Sequence, residues 1–250
     1  MLMPIEPSPV AGIGRDSNAE IQRQFYAKTS NSYDEQQTDE DDYAFALRYL
    51  TAVLDFFEIK SILDVGAGTG RVERHMKAAR PDIAVVGIEP VKELREVGYR
   101  RGLTQDELQE GNGLAIKYGA GEFDLCCEFG VLHHTRYPHI VVDEMLRVAR
   151  KGIFIVDYNN FGCGSFLSRS LKQLINAAGM WKAAVFIKTR GKGYDLSDDD
   201  GLSYSYSVFN NYAQIAKKCR VYVLNLSGSG INPYRTAGHV ALLGIKQRSE

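Results

Sequence analysis

Apolar positions change their rhythm along this chain, and the change divides it. From residue 18 to 57 they recur at helical spacing. Ile21, Phe25 and Tyr26 form one group, and Tyr43, Leu47, Leu50, Leu54 and Phe57, stepping by four and three, share one helix face. The polar stretch 29–42 lies between them, with Tyr33 alone among Ser, Asn and Asp. Beyond residue 60 the apolar positions cluster into short runs, SILDVG (61–66), IAVVGIE (83–89), FDLCCEFG (123–130) and GIFIVDY (152–158). Helical stretches at 71–79, 91–101 and 140–149 separate them. Near-continuous apolar strands alternating with helices predict a parallel sheet covered on both faces. VYVLNL (221–226) and HVALLGIK (239–246) are divided by Gly228, Gly230, Asn232 and Pro233, with no room for a crossover helix. They predict an antiparallel hairpin, so the last strand of the sheet runs in reverse.

Residues 160–218 break the alternation. The pattern predicts a helix over 166–178, an extended segment over 185–188, and a Gly- and Asp-rich loop over 190–201, followed by YSYSVFNNY (204–212). Asp198–Asp200 reads as part of a solvated loop. A connection this long in a compact domain tends to carry function; a surface excursion with no role in binding is the other reading. Residues 1–18, rich in Pro, Gly and Ser and without periodicity, read as a flexible tail. The remainder, 19–250, reads as one α/β domain with a helical cap over 19–58 and an inserted lid or acceptor region over 160–218.

Composition narrows the function classes. Hydrophobic residues make up 44% and charged residues 24% of 250, enough to bury a core. Thirty basic against 31 acidic residues leave a net charge of -1, without the electrostatic footprint of a nucleic-acid binder. Cys126, Cys127, Cys163 and Cys219 form no CxxC, and His75, His133, His134, His139 and His239 form no HExxH, so no metal site is expected. No apolar run approaches the roughly 18 residues of a membrane span, and MLMPIEPSPVAGIGRDS lacks the pattern of a signal peptide. The expectation is a cytoplasmic protein with reduced thiols and no membrane partner.

The most informative string is LDVGAGTGR, 63–71. A buried strand ends at Val65, Gly66, Gly68 and Gly70 follow at alternate positions, and a helix begins. Glycine permits positive φ and close approach of a ligand to the backbone, and the helix start offers N–H groups to a carboxylate or phosphate. A dinucleotide fingerprint, GxGxxG, would require glycine where Arg71 stands, and a P-loop would end in GK[ST]. Asp64 precedes the first glycine by two positions. Glu89 ends the second strand, where a carboxylate is suited to both hydroxyls of a ribose.

LDVGAGTGR, followed in order by VVGIEP, EGNG and FDLCCEFGVLHHT, resembles the class I S-adenosylmethionine-dependent methyltransferases, in the style of small-molecule members that carry VLHH after the fourth strand. The resemblance is strong over 60–158, extends to the reversed final strand, and is absent from 160–218. It implies a Rossmann-like, doubly wound, seven-stranded sheet and S-adenosylmethionine as cofactor. It places Gly66, Ala67, Gly68 and Gly70 against the methionine part, with Asp64 orienting it. Glu89 would hold the ribose, with Pro90 and Val91 on the adenine. Asn112 and Gly113 stand where relatives face the adenine amino group, Asn112 accepting through its carbonyl. Glu128 and Phe129 would line the floor. Tyr33 falls where relatives have an aromatic residue closing over the cofactor; a tyrosine packing between helices is the other reading.

Methyl transfer requires an acceptor in line with methyl and sulfur, and a hydroxyl acceptor must lose its proton. His133 and His134, just past the fourth strand, are the candidate bases; holding the loop together is their alternative role. Tyr26, Tyr204, Tyr206 and Tyr212 are candidates for an acceptor pocket or for the core. The expected reaction is methylation of O or N on a small metabolite by a monomer or homodimer. Protein or RNA methylation, or a non-catalytic cofactor-binding subunit, are the alternatives. An NPPY-like or Pro-Cys nucleic-acid signature is missing after the fourth strand, which reads EFGV.

Overall fold

The computed structural model describes residues 17–30, 40–198, 200–228 and 230–247. Of the tail expected over 1–18, residues 1–16 lie outside them, as does Tyr33, while 17 and 18 open a helix. Strand β1 (Ser61–Val65) is buried along all but its first residue. Helix α3 (Arg71–Ala79) leads to β2 (Ala84–Glu89), and α4 (Lys92–Arg100) to the short β3 (Leu108–Glu110). β4 (Phe123–Phe129), α5 (Pro138–Val148) and β5 (Ala149–Tyr158) complete the parallel part. Near the end, β8 (Cys219–Asn225) and β9 (His239–Lys246) pair antiparallel, and β9 also pairs antiparallel with β5. The seven-stranded order is β3-β2-β1-β4-β5-β9-β8, so the reversed last strand lies inside the sheet and β8 forms its edge.

Residue alternation assigns the two faces. Leu63, Val65, Cys126, Ile153, Ile155 and Leu242 pack with α5 on one side. Ile62, Leu125, Cys127, Phe154, Val156 and Leu243 pack on the other with α3 and with α2 (Glu40–Val53). The period of two is what a sheet covered on both faces requires. The predicted face Tyr43, Leu47, Leu50 and Leu54 is buried in that second layer, with Phe57 packed against it.

Strands β2 and β3 lie on one side of β1, and β4 on the other. The connections therefore diverge at the carboxyl ends of β1 and β4, the place where open α/β sheets form a ligand crevice. Over that crevice lie α1 (Ser17–Thr29) and the insert. The insert contains α6 (Phe166–Ala177), α7 (Trp181–Lys188) and a hairpin of β6 (Tyr194–Ser197) with β7 (Gly201–Tyr204), followed by α8 (Tyr212–Ala216). The expected extended segment at 185–188 is instead the last turn of α7. Only Val185 and Ile187 in this helix are β-branched, and its remaining residues tolerate helix well.

Candidate active site

The turn after β1 is built by glycines in the left-handed region: φ is +77° at Gly66, +57° at Gly68 and +76° at Gly70. A Cβ at Gly66 would stand 2.4 Å from Val131 Cγ2, so this glycine also lets the β4 loop close against the turn. The amides of the turn are used internally. Gly66 and Ala67 donate to the Ile88 carbonyl at 2.8 and 3.1 Å, and Gly70 donates to the Ala67 carbonyl at 2.8 Å. Gly68 N–H donates to Glu89 Oε2 at 3.0 Å. The helix start expected to offer N–H groups to an anion begins after these residues, at Arg71. A pyrophosphate would find four of the five amides between Gly66 and Gly70 already occupied.

Glu89 stands at the wall of the crevice with each oxygen fixed by one backbone amide, Gly68 on Oε2 and Val91 on Oε1 at 2.8 Å. Each oxygen keeps a lone pair for a further donor, the arrangement that two vicinal hydroxyls require. The main cleft holds about 1210 Å³ including its open mouth. Gly66, Glu89, Pro90, Asn112, Gly113 and Phe129 all line it, with Val91, Leu94, Leu114 and Val141 as additional apolar walls. Asn112 Oδ1 accepts from Leu114 N at 2.9 Å, which orients its amide. A second cavity shares Gly66 and Phe129 with the cleft and is bounded by Asp64, Ala67, Arg71 and Tyr43. The Arg71 guanidinium lies 5.5 Å above the Tyr43 ring.

Buried carboxyl groups gather where these two cavities meet, Asp64 on the second and Glu89 on the first. Asp64 is buried, its carboxylate contacted by the Cys127 thiol at 3.5 Å, and burial pushes its pKa up to about 7. Burial likewise pushes Glu89 up to about 7. Burial first, and then the Asp64 charge, raises Glu73 well above the carboxylate range, and neither of its oxygens accepts a hydrogen bond among the described residues. These groups suit a ligand that brings positive charge and donor protons.

Glu128 does not line the cleft. It is fully buried behind Phe129, with Oε2 accepting from Val131 N at 2.8 Å. Successive side chains on a strand point to opposite faces, so the pair cannot share one wall. Burial, followed by the Asp157 charge, raises its pKa well above the usual range.

The two histidines have different surroundings. His133 is buried, with Nδ1 2.7 Å from Asp157 Oδ1 and Nε2 3.3 Å from Asp200 Oδ2. Burial opposes its charge, but Asp157 and Asp200 outweigh that and raise its pKa to about 10. It does not line the cleft. His134 does, beside Tyr26, Arg136, Tyr137 and Tyr204. Its Nδ1 lies 2.7 Å from the Leu202 carbonyl, which can only accept, so Nδ1 carries a proton. The Gln22 amide, 3.1 Å from the same nitrogen, donates instead to the Asp200 carbonyl at 3.0 Å. His134 Nε2 lies 2.8 Å from Tyr26 Oη and 3.3 Å from Asp200 Oδ1.

Asp200 is the site residue that sequence reasoning missed. Read as part of a solvated loop, it instead turns inward from the β6–β7 connection, and two imidazoles outweigh its partial burial to hold it below the carboxylate range. His133, His134 and Asp200 offer donor atoms within 4.8 Å of one another, the one such group among the described residues. Of the other tyrosines, Tyr206 is buried and donates to Asn211 Oδ1 at 2.8 Å, and Tyr212 is exposed.

Residues 63–156 match the sequence model of the family described as Methyltransferase domain. A methyltransferase of Mycolicibacterium vanbaalenii, itself described as uncharacterized, is 28% identical over 146 residues, covering 57% of this chain and 55% of the relative. The chain thus spans little more than half the length of the curated relatives it matches. An S-adenosylmethionine-dependent methyltransferase of Thermotoga maritima shares the fold with a TM-score of 0.59 at 18% identity, covering 90% of this chain and 99% of that one. The 1,6-didemethyltoxoflavin-N1-methyltransferase of Burkholderia thailandensis, solved with its substrate and S-adenosylhomocysteine, gives a TM-score of 0.59 at 15% identity, covering 97% and 93%. Among the described residues no helix is long and apolar enough to cross a membrane.

Proposed function

We infer that this chain, a class I S-adenosylmethionine-dependent methyltransferase with S-adenosylmethionine as its cofactor, transfers a methyl group to oxygen or nitrogen of a small molecule. The observation that carries the reading is the pair of buried carboxyls beside the turn after β1: Asp64, and Glu89, which is fixed by the Gly68 and Val91 amides and keeps acceptor capacity for a cationic, hydroxyl-bearing ligand. Bound there, S-adenosylmethionine supplies a methyl group activated on a sulfonium. Glu89 would accept the ribose hydroxyls and Asp64 the methionine ammonium. Arg71 stands at the rim of the second cavity, suited to the carboxylate, while Val91, Leu114 and Asn112 offer an adenine slot.

The acceptor end of the cleft is walled by Tyr26, His134, Arg136, Tyr137 and Tyr204. His134 Nε2 would take the proton of an acceptor hydroxyl, directly or through Tyr26 Oη, and Asp200 Oδ1 would stabilise the imidazolium formed. His133 acts as a positioning residue, holding Asp200 and, through Asp157, the loop after β4. Asp157 Oδ2 accepts from Leu132 N at 2.8 Å and from His133 N at 3.2 Å, which fixes that loop's path. The small-molecule acceptor of the Burkholderia enzyme agrees with this reading, as does the walled form of the cleft. Transfer of a labelled methyl group to pooled metabolites, peptides and RNA tests it. Label entering the metabolite pool alone is the expected result; label in peptide or RNA alone would replace the acceptor class.

A further inference from the structure

The insert carries an apolar surface in the wrong place for a folded core. Helix α6 is amphipathic, but inverted. Its polar side is tied to the body of the protein: Lys172 donates to the Asn160 and Cys163 carbonyls, Gln173 to the Phe161 carbonyl and Asn176 to Tyr234 Oη. Its apolar side, with Phe166, Leu167, Leu171 and Leu174, faces solvent, Leu167 being 77% exposed. Helix α7, which touches α6, adds Phe186 and Ile187, the latter 76% exposed, and Met180 precedes it. Of the fourteen large apolar residues exposed among the described residues, these seven fall between 166 and 187. Scattered exposure is ordinary, but concentration of this kind marks a docking face.

Charge identifies the occupant. Between Asp157 and Asp195 the chain has six basic residues and no acidic one, in a protein whose net charge is -1; Lys172 is turned to the body and Lys188 pairs with Asp195, while Arg169, Lys182, Arg190 and Lys192 complete the set. A second copy set on this face by a two-fold axis would oppose these cations to one another. Exposed leucine and phenylalanine flanked by lysine and arginine fit the interface of an anionic bilayer, apolar side chains entering the acyl boundary and cations meeting headgroup phosphates. A groove lined by Trp181, Lys182, Val185 and Phe186 also reaches Thr135, Arg136 and Tyr204, which wall the acceptor end of the cleft. The docking face therefore adjoins the cleft mouth. We propose that the α6–α7 face seats the protein, in plane and reversibly, on a membrane surface containing anionic lipid. This requires no spanning segment and does not depend on which acceptor is methylated.

Flotation of the full chain with vesicles of phosphatidylglycerol and phosphatidylcholine, and with phosphatidylcholine alone, tests it. Emission of Trp181, the only tryptophan in the chain, gives a second readout at the interface itself. Binding to the anionic vesicles alone is expected at about 50 mM salt, with most of it lost at about 500 mM. The combined Leu167→Gln, Leu171→Gln and Leu174→Gln variant should bind at least about tenfold more weakly, as should Lys182→Gln with Arg190→Gln and Lys192→Gln. Calorimetry with S-adenosylhomocysteine, unchanged in both variants, checks that they remain folded. The proposal is overturned if the protein ignores anionic vesicles at low salt, or if the leucine variant binds them as the parent does. A parent dimer that the same substitutions dissolve would also overturn it, because a second copy would then cover the face.

Discussion

Tyr26 Oη lies 2.8 Å from His134 Nε2, and this contact joins the first helix to the loop after β4 across the acceptor end of the cleft. His134→Ala should lower kcat by about 10²–10⁴-fold, the range for loss of a general base, with S-adenosylhomocysteine affinity nearly unchanged. Tyr26→Phe should cost less, because Nε2 remains available to the acceptor. Steady-state kinetics with calorimetry as the control checks both. Normal turnover in His134→Ala would leave the histidine only a packing role.

His133 between Asp157 and Asp200 predicts a pH-dependent stability. Its pKa, about 10, lies above the roughly 6.5 of an unfolded histidine. The stabilisation is fully present below about 6.5 and disappears as pH rises through about 10. Asp157→Asn removes a partner from a buried charge, which costs about 3–5 kcal/mol and lowers the melting temperature by roughly 10 °C in a domain of this size. Melting curves from pH 6 to about 11 should converge for parent and variant at the alkaline end. A constant gap would show that His133 is neutral in the fold.

Much of the site was legible because its signals are local. The turn Gly66–Gly70, Asp64 and Glu89 belong to two adjacent strand ends, and short-range spacing fixes them. Asp200 was not legible, because its partners lie 66 and 67 residues earlier and only the β6–β7 hairpin turns its carboxylate inward. Glu128 was placed on the cleft floor by the family resemblance, whereas strand alternation turns it to the face opposite Phe129 and the cleft lining omits it. β3 has only three residues, too few for an apolar run, so its place in the sheet came from the family resemblance and not from periodicity. In the insert the pattern predicts the helix over 166–178, found at Phe166–Ala177, but says nothing of which way its apolar side faces.

The two buried carboxyls predict proton linkage in cofactor binding. Asp64 and Glu89, both near 7 in the free protein, must ionise to receive the ammonium and the ribose hydroxyls. Affinity for S-adenosylmethionine should rise as pH increases from about 5.5 to 8 and then level off, with protons released on binding. Calorimetry in buffers of different ionisation enthalpy measures that release directly. Affinity independent of pH would mean that both groups are already charged.

Metal dependence is the direct test of the His133, His134 and Asp200 group. Turnover should survive chelation with EDTA and gain less than about twofold from added zinc or manganese. Loss of activity on chelation, restored by one metal, would reassign His133, His134 and Asp200 as ligands.

The most direct test of the central claim is calorimetric titration of the protein with S-adenosylhomocysteine beside NADH, repeated with Glu89→Gln. The parent should bind S-adenosylhomocysteine at about micromolar affinity or tighter and NADH not at all. The variant should lose at least about tenfold, because the charged acceptor for two ribose hydroxyls is gone. Binding of NADH, or an affinity for S-adenosylhomocysteine that Glu89→Gln leaves unchanged, would contradict the account.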